Sequence, residues 1–240
     1  MSKSVRNSNA LNSYIPTLTN YISKYITNGD RLTSKIIKRM ITPRYQVQLG
    51  RYHVTEICGC LRRSFLERTH GHDETHKEIW IKQRGKALHR QLTYALRGWA
   101  ELPIQMLIPY DDSNVTLVGY VDAYDPDERS IIEFKSTRFV NWQNKKGLLP
   151  HQQHILQIKS YFTIWTRCYN FPVKTLLIGY VDDETPPTWF EVEPQDVTAW
   201  LRERAMRLHN ALLQDEMPDA EQNGLCNYCA FKHYCSIKTI

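Results

Sequence analysis

The sequence predicts an α/β fold in which a mixed β-sheet is flanked by helices. Two extended segments, Leu117–Tyr124 and Ser130–Lys135, enclose the turn-forming triplet Asp125–Asp127 and are typical of a β-hairpin. The amphipathic segment His151–Tyr169 predicts a helix, and the apolar segment Val173–Val181 after it predicts a strand. Because a strand that follows a crossover helix pairs in parallel, the predicted sheet contains both antiparallel and parallel pairs.

Other periodic segments extend this order towards both ends. A chain of 240 residues suits one large domain, or one domain with an appendage. The patterns predict two helices before the hairpin, a strand between them and the hairpin, and a final strand and helix: Leu61–Thr69, Trp80–Gly98, Pro103–Pro109, Trp189–Val192 and Pro194–Leu213.

The positive charge is concentrated at the N-terminus. Residues 1–51 contain nine Lys or Arg and one acidic residue, a net charge of +8, whereas the whole chain carries +6. We therefore predict a basic N-terminal arm, residues 1–51, with short helices at Leu18–Ile26 and Leu32–Met40, ahead of a near-neutral body, residues 52–240. Such an arm suggests a nucleic acid as partner and an anionic membrane as second choice, although a solvated basic face explains it equally well.

Location and redox state follow from what the sequence lacks. It has no apolar run of membrane-spanning length, and the segment MSKSVRNSNALNSYIP lacks the apolar core of a signal peptide. We therefore expect a cytoplasmic protein without membrane association. The six cysteines are then expected to be reduced thiols or metal ligands.

The predicted hairpin carries a candidate catalytic group. Pairing of its strands can bring Asp122 next to Glu133, and Lys135 lies on the same strand face as Glu133. Two carboxylates at short range suit Mg²⁺ or Mn²⁺, and a neighbouring lysine can orient a water molecule or stabilise charge on a phosphate. By spacing alone, a solvated hairpin face is the more common explanation.

Residues on neighbouring segments can complete such a site. Gln157 and Tyr161, four apart on the helix after the hairpin, can reach the same point. His89 adjoins an apolar helix face, where a histidine is usually structural. Basic and aromatic residues suited to DNA contact occur on the helix after Cys60 and in a polar loop after the hairpin: Arg62, Arg63, Arg138, Trp142, Lys145 and Lys146.

The cysteine pattern near the C-terminus predicts a metal site. Three cysteines follow the spacing C-x2-C-x5-C, namely Cys226, Cys229 and Cys235. A fourth thiolate would come from Cys60 or Cys58, and four sulfurs suit an iron–sulfur cluster or zinc. Joining Cys60 to Cys226 closes a loop of 226 − 60 = 166 residues, which favours a structural role. Cys168 is predicted to be a core thiol.

Taken in order, these elements resemble a known family. Four motifs are similar to those of RecB-type nucleases in the PD-(D/E)XK superfamily: Gly85-x-x-x-His89, Gly119-x-x-Asp122, Glu133-x-Lys135 and Gln157-x-x-x-Tyr161. The cysteine frame further resembles the CRISPR-associated exonucleases of the fourth Cas family and nuclease domains of AddB type. The resemblance covers about Tyr52 to Cys235. It implies a restriction-endonuclease-like mixed sheet, with an iron–sulfur region formed by Cys60 and residues 224–240 joining the two ends of the chain.

The resemblance also implies residue roles. A Mn²⁺ or Mg²⁺ ion would be held by His89, Asp122, Glu133 and the Phe134 backbone carbonyl. Lys135 would position the attacking water, and Gln157 and Tyr161 would contact DNA or steady the lysine. Where the family has Cys-Pro-Arg, this chain has Cys60-Leu61-Arg62, so Cys60 is assigned as a cluster ligand with Cys58 as the alternative. A 4Fe-4S cluster is favoured over 2Fe-2S.

The function implied by the resemblance is a metal-dependent DNA exonuclease. It would hydrolyse phosphodiester bonds of single-stranded DNA from 5′ to 3′ during CRISPR adaptation or prespacer processing, with CRISPR integrase proteins as candidate partners. One alternative is a virus-encoded or repair and recombination nuclease of RecB type. Another is a non-catalytic DNA-binding module with structural zinc. The motifs predict no oligomeric state.

Overall fold

The computed structural model describes residues 31–40, 48–96, 99–224 and 226–235. The helix predicted at Leu18–Ile26 lies outside these ranges. The helices are α1 Arg31–Met40, α2 Val54–Cys58, α3 Leu61–Thr69, α4 His76–Ala95, α5 Val140–Lys145, α6 Gln152–Cys168 and α7 Thr198–Gln214. The strands are β1 Arg51–His53, β2 Ala100–Tyr110, β3 Ser113–Asp125, β4 Ser130–Ser136, β5 Thr175–Val181 and β6 Thr188–Val192.

The long strand β3 organises a six-stranded mixed sheet. Along one edge it pairs antiparallel with β2, and along the other it pairs first with β1 in parallel and then with β4 antiparallel. Strand β5 runs parallel to β4, and β6 closes the sheet antiparallel to β5. The predicted mixed sheet, the hairpin and the parallel strand after the crossover helix are therefore confirmed.

Helices cover both faces of the sheet. One face and the helices α2, α3, α6 and α7 share a large apolar cluster, in which Leu61, Ile164 and Leu201 are fully buried. On the other face, a smaller cluster of Ala123, Ile132 and Phe134 packs against Leu92 and Leu96 at the end of α4. Both faces of β4 are thereby removed from water, which explains why its burial does not alternate.

Helix α1 confirms the helix predicted at Leu32–Met40 and lies against α4. Its Ile37 is buried, and the Gln83 side-chain amide donates a hydrogen bond of 2.7 Å to the Met40 carbonyl. The division into a 1–51 arm and a body remains a prediction. Within the part of the chain that the structure describes, no helix is both long and apolar enough to cross a bilayer.

Three local predictions differ from the structure. The polar segment after β4, predicted as a loop, forms the short helix α5, because the Asp182 carboxylate accepts the backbone N–H of Val140 at 3.0 Å and satisfies the start of the helix. Helix α4 begins at His76 rather than Trp80, since Thr75 and Glu78 form a capping box. Cys168 is exposed, and its thiol lies against the Gln105 backbone at the edge of β2, so its prediction as a core thiol was wrong.

Two glycines allow close contacts around the end of the hairpin. A Cβ atom on Gly119 would lie 2.9 Å from a ring carbon of Tyr161, and one on Gly85 would lie 2.8 Å from Ser136 Oγ. Carbon atoms do not approach a ring so closely without displacement. The missing side chain of Gly119 therefore lets α6 bring Tyr161 onto β3.

We expect Gly119→Ala to lower the free energy of unfolding by about 1–3 kcal/mol, because the Tyr161 ring is buried and cannot move aside. Gly85→Ala is the matched control. Its methyl group meets only the hydroxyl of the exposed Ser136, which can rotate, and alanine favours the helix. Urea unfolding of both variants measures the difference, and equal destabilisation would contradict the packing argument.

Candidate active site

The hairpin strands separate at the position of the two predicted carboxylates. Their pairing ends at Ala123 opposite Ile132, so Asp122 and Glu133 are the first residues beyond the paired ladder. Beyond that point the backbone N–H of Phe134 donates to the Asp122 carboxylate at 2.7 Å instead of to a backbone carbonyl of β3. The structure thus places Asp122 beside the Glu133–Lys135 segment, as the register of the hairpin predicts.

Glu133 lies at the centre of a buried hydrogen-bond network under α6. Its Oε1 accepts hydrogen bonds from Lys135 Nζ at 2.6 Å and from Gln157 Nε2 at 2.7 Å. Lys135 Nζ also donates to Gln157 Oε1 at 2.9 Å, and Gln157 Nε2 lies 2.9 Å from the Tyr161 hydroxyl, which accepts. The other carboxylate oxygen, Oε2, is buried and has no hydrogen-bond partner among the described residues. One oxygen of a buried acid therefore remains available for a ligand.

The electrostatic state of Glu133 reflects this enclosure. Burial, with the nearby charge of Asp122, raises the pKa of Glu133 to about 7, against the opposing effect of Lys135. Its side chain is only 3% exposed. Near neutral pH, the metal-free site therefore holds a carboxyl group that a cation would help to ionise.

His89 approaches the same carboxylates from the other face of the sheet. Its Nδ1 lies 3.4 Å from Asp122 Oδ2, and its ring contacts the Phe134 ring edge-on. Burial lowers the pKa of His89, but the hydrogen bond and charge of Asp122 outweigh it, so the pKa is raised overall. Phe134 points away from Glu133 into the apolar layer under α4, because successive side chains of a strand lie on opposite faces.

The metal-binding geometry is only partly formed. Within residues 31–40, 48–96, 99–224 and 226–235, no three His, Cys, Asp or Glu side chains lie close enough to hold one metal ion. His89 and Asp122 are adjacent, whereas Glu133 turns one oxygen towards Lys135 and Gln157. The unpartnered Glu133 Oε2 and the nitrogen and oxygen donors of His89 and Asp122 nevertheless suit a hard divalent cation.

The predicted cysteine ligands all line one cavity. A space of about 300 Å³ between α2, α3 and the C-terminal segment is lined by Cys58, Cys60, Cys226, Cys229 and Cys235. The structure therefore brings together thiols that are up to 177 residues apart in sequence (235 − 58).

The two candidate upstream cysteines occupy different environments. Cys58 is buried, its sulfur lies 3.5 Å from Ser160 Oγ, and burial raises the pKa of its thiol to about 12. Cys60 is partly exposed and sits at the N-terminus of α3. Because a metal ligand must be a thiolate, these surroundings favour Cys60.

A clasp beside this cavity was not predicted from the sequence. The Arg204 guanidinium on α7 donates to the carbonyls of Ile57 at 2.7 Å and Gly59 at 2.5 Å, and both of its terminal nitrogens bind Glu221. Glu221 also accepts the Leu61 backbone N–H at 3.2 Å. An arginine on an amphipathic helix and a glutamate in a coil give no local signal of this contact, because the partners are distant in sequence.

The predicted DNA-contact residues fall into two groups. Arg62 donates to the carbonyls of Pro218 and Tyr234, so it holds the C-terminal segment instead, and we leave it out of the DNA-contact set. Arg63 forms an exposed ion pair with Glu67 at 2.8 Å. The residues on and beside α5 have exposed side chains: Arg138, Trp142, Lys145 and Lys146.

Comparison with known proteins assigns this chain to a class, the nucleases. A family model described as the PD-(D/E)XK nuclease superfamily matches residues 38–236. The chain therefore belongs to the PD-(D/E)XK nuclease superfamily. No curated protein matches it.

Several solved structures are similar to this chain at low sequence identity, and the first one described here shares its fold. The crystal structure of SSO0001 is 20% identical over 92% of this chain and 98% of its own, with a TM-score of 0.59. An alkaline exonuclease from Laribacter hongkongensis is 16% identical over 70% of this chain and 90% of its own, with a TM-score of 0.45. A phage-related exonuclease from Haemophilus somnus 129PT is 12% identical over 71% and 97%, with a TM-score of 0.42.

We expect the stability of the metal-free protein to depend on Glu133 ionisation. Its pKa rises from 4.5 to about 7 on folding, so the folded state binds the proton more tightly. The free energy of unfolding should therefore decrease as pH rises from about 4.5 to about 7, by up to about 3 kcal/mol. Glu133→Gln should remove this component. The measurement is urea unfolding across this pH range in chelator. If the unmodified protein and Glu133→Gln showed the same dependence of unfolding free energy on pH, the raised pKa of Glu133 would be contradicted.

Proposed function

We propose that the protein is a metal-dependent deoxyribonuclease that hydrolyses phosphodiester bonds at the end of the β3–β4 hairpin. The observation that carries this proposal is the buried Glu133 Oε2, which has no hydrogen-bond partner among the described residues and lies beside a second acid and a lysine. A buried carboxylate oxygen is costly unless a donor or cation binds it. A cation therefore explains the arrangement better than a structural ion pair does.

The proposed metal ligands are His89, Asp122, Glu133 and the Phe134 carbonyl. A bound Mg²⁺ or Mn²⁺ would lower the pKa of a water molecule and offset charge on the attacked phosphate. Lys135, held by Glu133 and Gln157, would orient the attacking water and stabilise a phosphate oxygen. Gln157 and Tyr161 are 5% and 4% exposed, which favours their positioning Lys135 over direct DNA contact.

The finer substrate assignment rests on the resemblance of the motif set. It would be digestion of single-stranded DNA from the 5′ end, in the cytoplasm, during CRISPR adaptation with integrase proteins as partners. A virus-encoded or repair nuclease would share the catalytic residues, and binding assays with candidate integrase partners distinguish these contexts. The exposed Arg63, Arg138, Trp142, Lys145 and Lys146 remain the proposed DNA contacts from this set.

We also propose that Cys60, Cys226, Cys229 and Cys235 hold an iron–sulfur cluster, with 4Fe-4S favoured over 2Fe-2S. All four thiols line one cavity of about 300 Å³, but no three of these described side chains are close enough to share a single ion. The preference for a cluster over structural zinc rests on the resemblance of the cysteine frame, and the cluster would join α3 to the C-terminal segment.

Substitution of the hairpin residues tests the proposed activity. We expect Glu133→Ala or Lys135→Ala to reduce cleavage of end-labelled single-stranded DNA in Mn²⁺ by at least about 100-fold, because each removes a charge that acts at the reacting phosphate. Chelator should abolish cleavage by the unmodified protein.

The matched controls are Glu128→Ala and Lys174→Ala, which remove the same charge types from exposed positions near the far end of the sheet. They should cleave normally. Full activity of both hairpin variants, or no cleavage by the unmodified protein under any metal condition, would refute the proposal. The labelled end that is consumed first reports the polarity.

Replacement of single cysteines tests the cluster. Anaerobically purified protein should contain iron and sulfide and absorb near about 400 nm, as thiolate-bound iron does. Cys60→Ser should lose this absorbance, whereas Cys58→Ser should keep it, because the Cys58 thiol is buried beside Ser160 and retains its proton. Stoichiometric zinc without iron would exclude a cluster. If Cys58→Ser lost the absorbance and Cys60→Ser kept it, Cys58 would be the ligand in place of Cys60.

A further inference from the structure

A ridge of positive side chains runs along α4 beside the catalytic residues. Lys82, Lys86 and Arg90 recur every four residues and therefore lie on one face of the helix. His89 is adjacent to Arg90 on that face. The ridge thus begins about two turns before the proposed metal ligand and reaches it.

Two of these cations have no acidic partner within the described part of the chain. Lys82 contacts Glu74 at 3.3 Å, whereas no ion pair forms at Lys86 or Arg90 among residues 31–40, 48–96, 99–224 and 226–235. By contrast, Arg84 on the same helix is paired with Asp183 at 2.7 Å. Unpaired cations on a fixed helix are available to an external anion.

The ridge forms one wall of an open groove that leads to the catalytic strand. This α4 groove has a volume of about 520 Å³ and is lined by Lys82, Gly85, Lys86, His89, Arg90 and Ser136, among others. Ser136 directly follows Lys135 at the end of β4, so the groove reaches the end of the catalytic strand on the α4 face, opposite to the face that carries the Lys135 amine. One acidic residue, Glu101, also lines the groove.

Exposed aromatic rings follow the same strand end along the chain. Phe139 and Trp142 follow Ser136 closely and are 69% and 56% exposed. Phe139 has a φ of 56°, a conformation that a bulky residue rarely adopts. Strained backbone and an exposed large ring at one position are typical of a binding site.

Helices α4 and α5 both contact the connection between β5 and β6. Arg84 binds Asp183 from α4, and Asp182 accepts the Val140 N–H at the start of α5. The connection between β5 and β6 therefore contacts both the helix that carries the groove cations and the start of the helix beside Phe139.

We propose that this surface binds single-stranded DNA, with backbone phosphates against Lys86 and Arg90 in the α4 groove and a base stacked on Phe139. The inference rests on the proposed nuclease function and specifies how the strand crosses the site. Phosphate contact by flexible cations and stacking on an exposed ring are the two elements that non-sequence-specific single-strand binding uses.

Binding without cleavage tests this surface. The full-length protein and a fluorescent oligothymidylate are titrated in chelator at several salt concentrations, and anisotropy gives the dissociation constant. Each phosphate contact to single strands contributes about 0.7 to the slope of log K against log salt, so Lys86→Ala should reduce the slope by about 0.7 and Lys86→Ala/Arg90→Ala by about 1.4.

Lys77→Ala is the matched control for the groove. Lys77 is an exposed lysine of the same helix, nine residues or about two and a half turns before Lys86, and therefore lies on the opposite face. It loses the same charge and should keep the original slope. If Lys77→Ala and Lys86→Ala change the slope equally, the α4 groove is not the binding path.

Phe139→Asn separates stacking from charge. Asparagine tolerates positive φ, so the backbone is retained while the ring is removed. We expect binding about tenfold weaker with an unchanged salt slope, because stacking releases no counterions. Unaltered affinity would overturn the stacking contact.

The outcomes distinguish this inference from the catalytic proposal. Cleavage that depends on Glu133 and Lys135, together with unchanged binding in the groove variants, would overturn the groove alone. No binding of single strands by the unmodified protein in chelator, and no cleavage in metal, would overturn both.

Discussion

The side-chain amide of Gln157 is the contact on which the arrangement of the site depends. It accepts a hydrogen bond from Lys135 and donates to Glu133, so two opposite charges share one neutral bridge beneath α6. Removing a carboxylate from water costs several kcal/mol unless its lone pairs are satisfied, and the amide supplies one of the required donors. Tyr161 then fixes the amide, and the bare backbone of Gly119 admits the tyrosine ring. The position of α6 over the sheet therefore determines how Glu133 and Lys135 are held relative to each other.

This network is contiguous with the cysteine cavity. Gln157 and His154, three residues apart on α6, both line the cavity, and Gln157 also binds Lys135. The Cys58 thiol lines the same cavity and contacts Ser160 on the same helix. Burial, together with the nearby Lys135 charge, lowers the pKa of His154 to about 2, so this wall is neutral. The clasp of Arg204 and Glu221 holds the outer side of the same cavity. The C-terminal segment therefore packs against a wall that the catalytic network shares.

Sequence patterns predicted the elements that carry the proposed catalytic side chains, but not the surroundings of those side chains. The two extended segments and the turn at Asp125–Asp127 were sufficient to predict the hairpin and to place Asp122 beside Glu133. The spacing of Gln157 and Tyr161 predicted that their side chains can reach the same point, and in the structure they are hydrogen-bonded to each other at 2.9 Å. The burial of Glu133 was not predictable, because it depends on helices packed on both faces of β4. Helix α5 is capped by a residue 42 positions away, and such contacts leave no local pattern.

The distribution of charge around the site has a chemical consequence. Acidic groups point inward at the hairpin end, where the pKa values of Glu133 and His89 are both raised, so the metal-free site retains protons to higher pH than the isolated side chains would. A cation that binds there displaces those protons and gains the carboxylate charge. Cations point outward along α4 and around α5, where a polyanion backbone would approach. Such an arrangement complements a nucleic-acid strand. A cation in the pocket would stabilise charge on the reacting phosphate, and the surrounding basic side chains would neutralise the flanking phosphates.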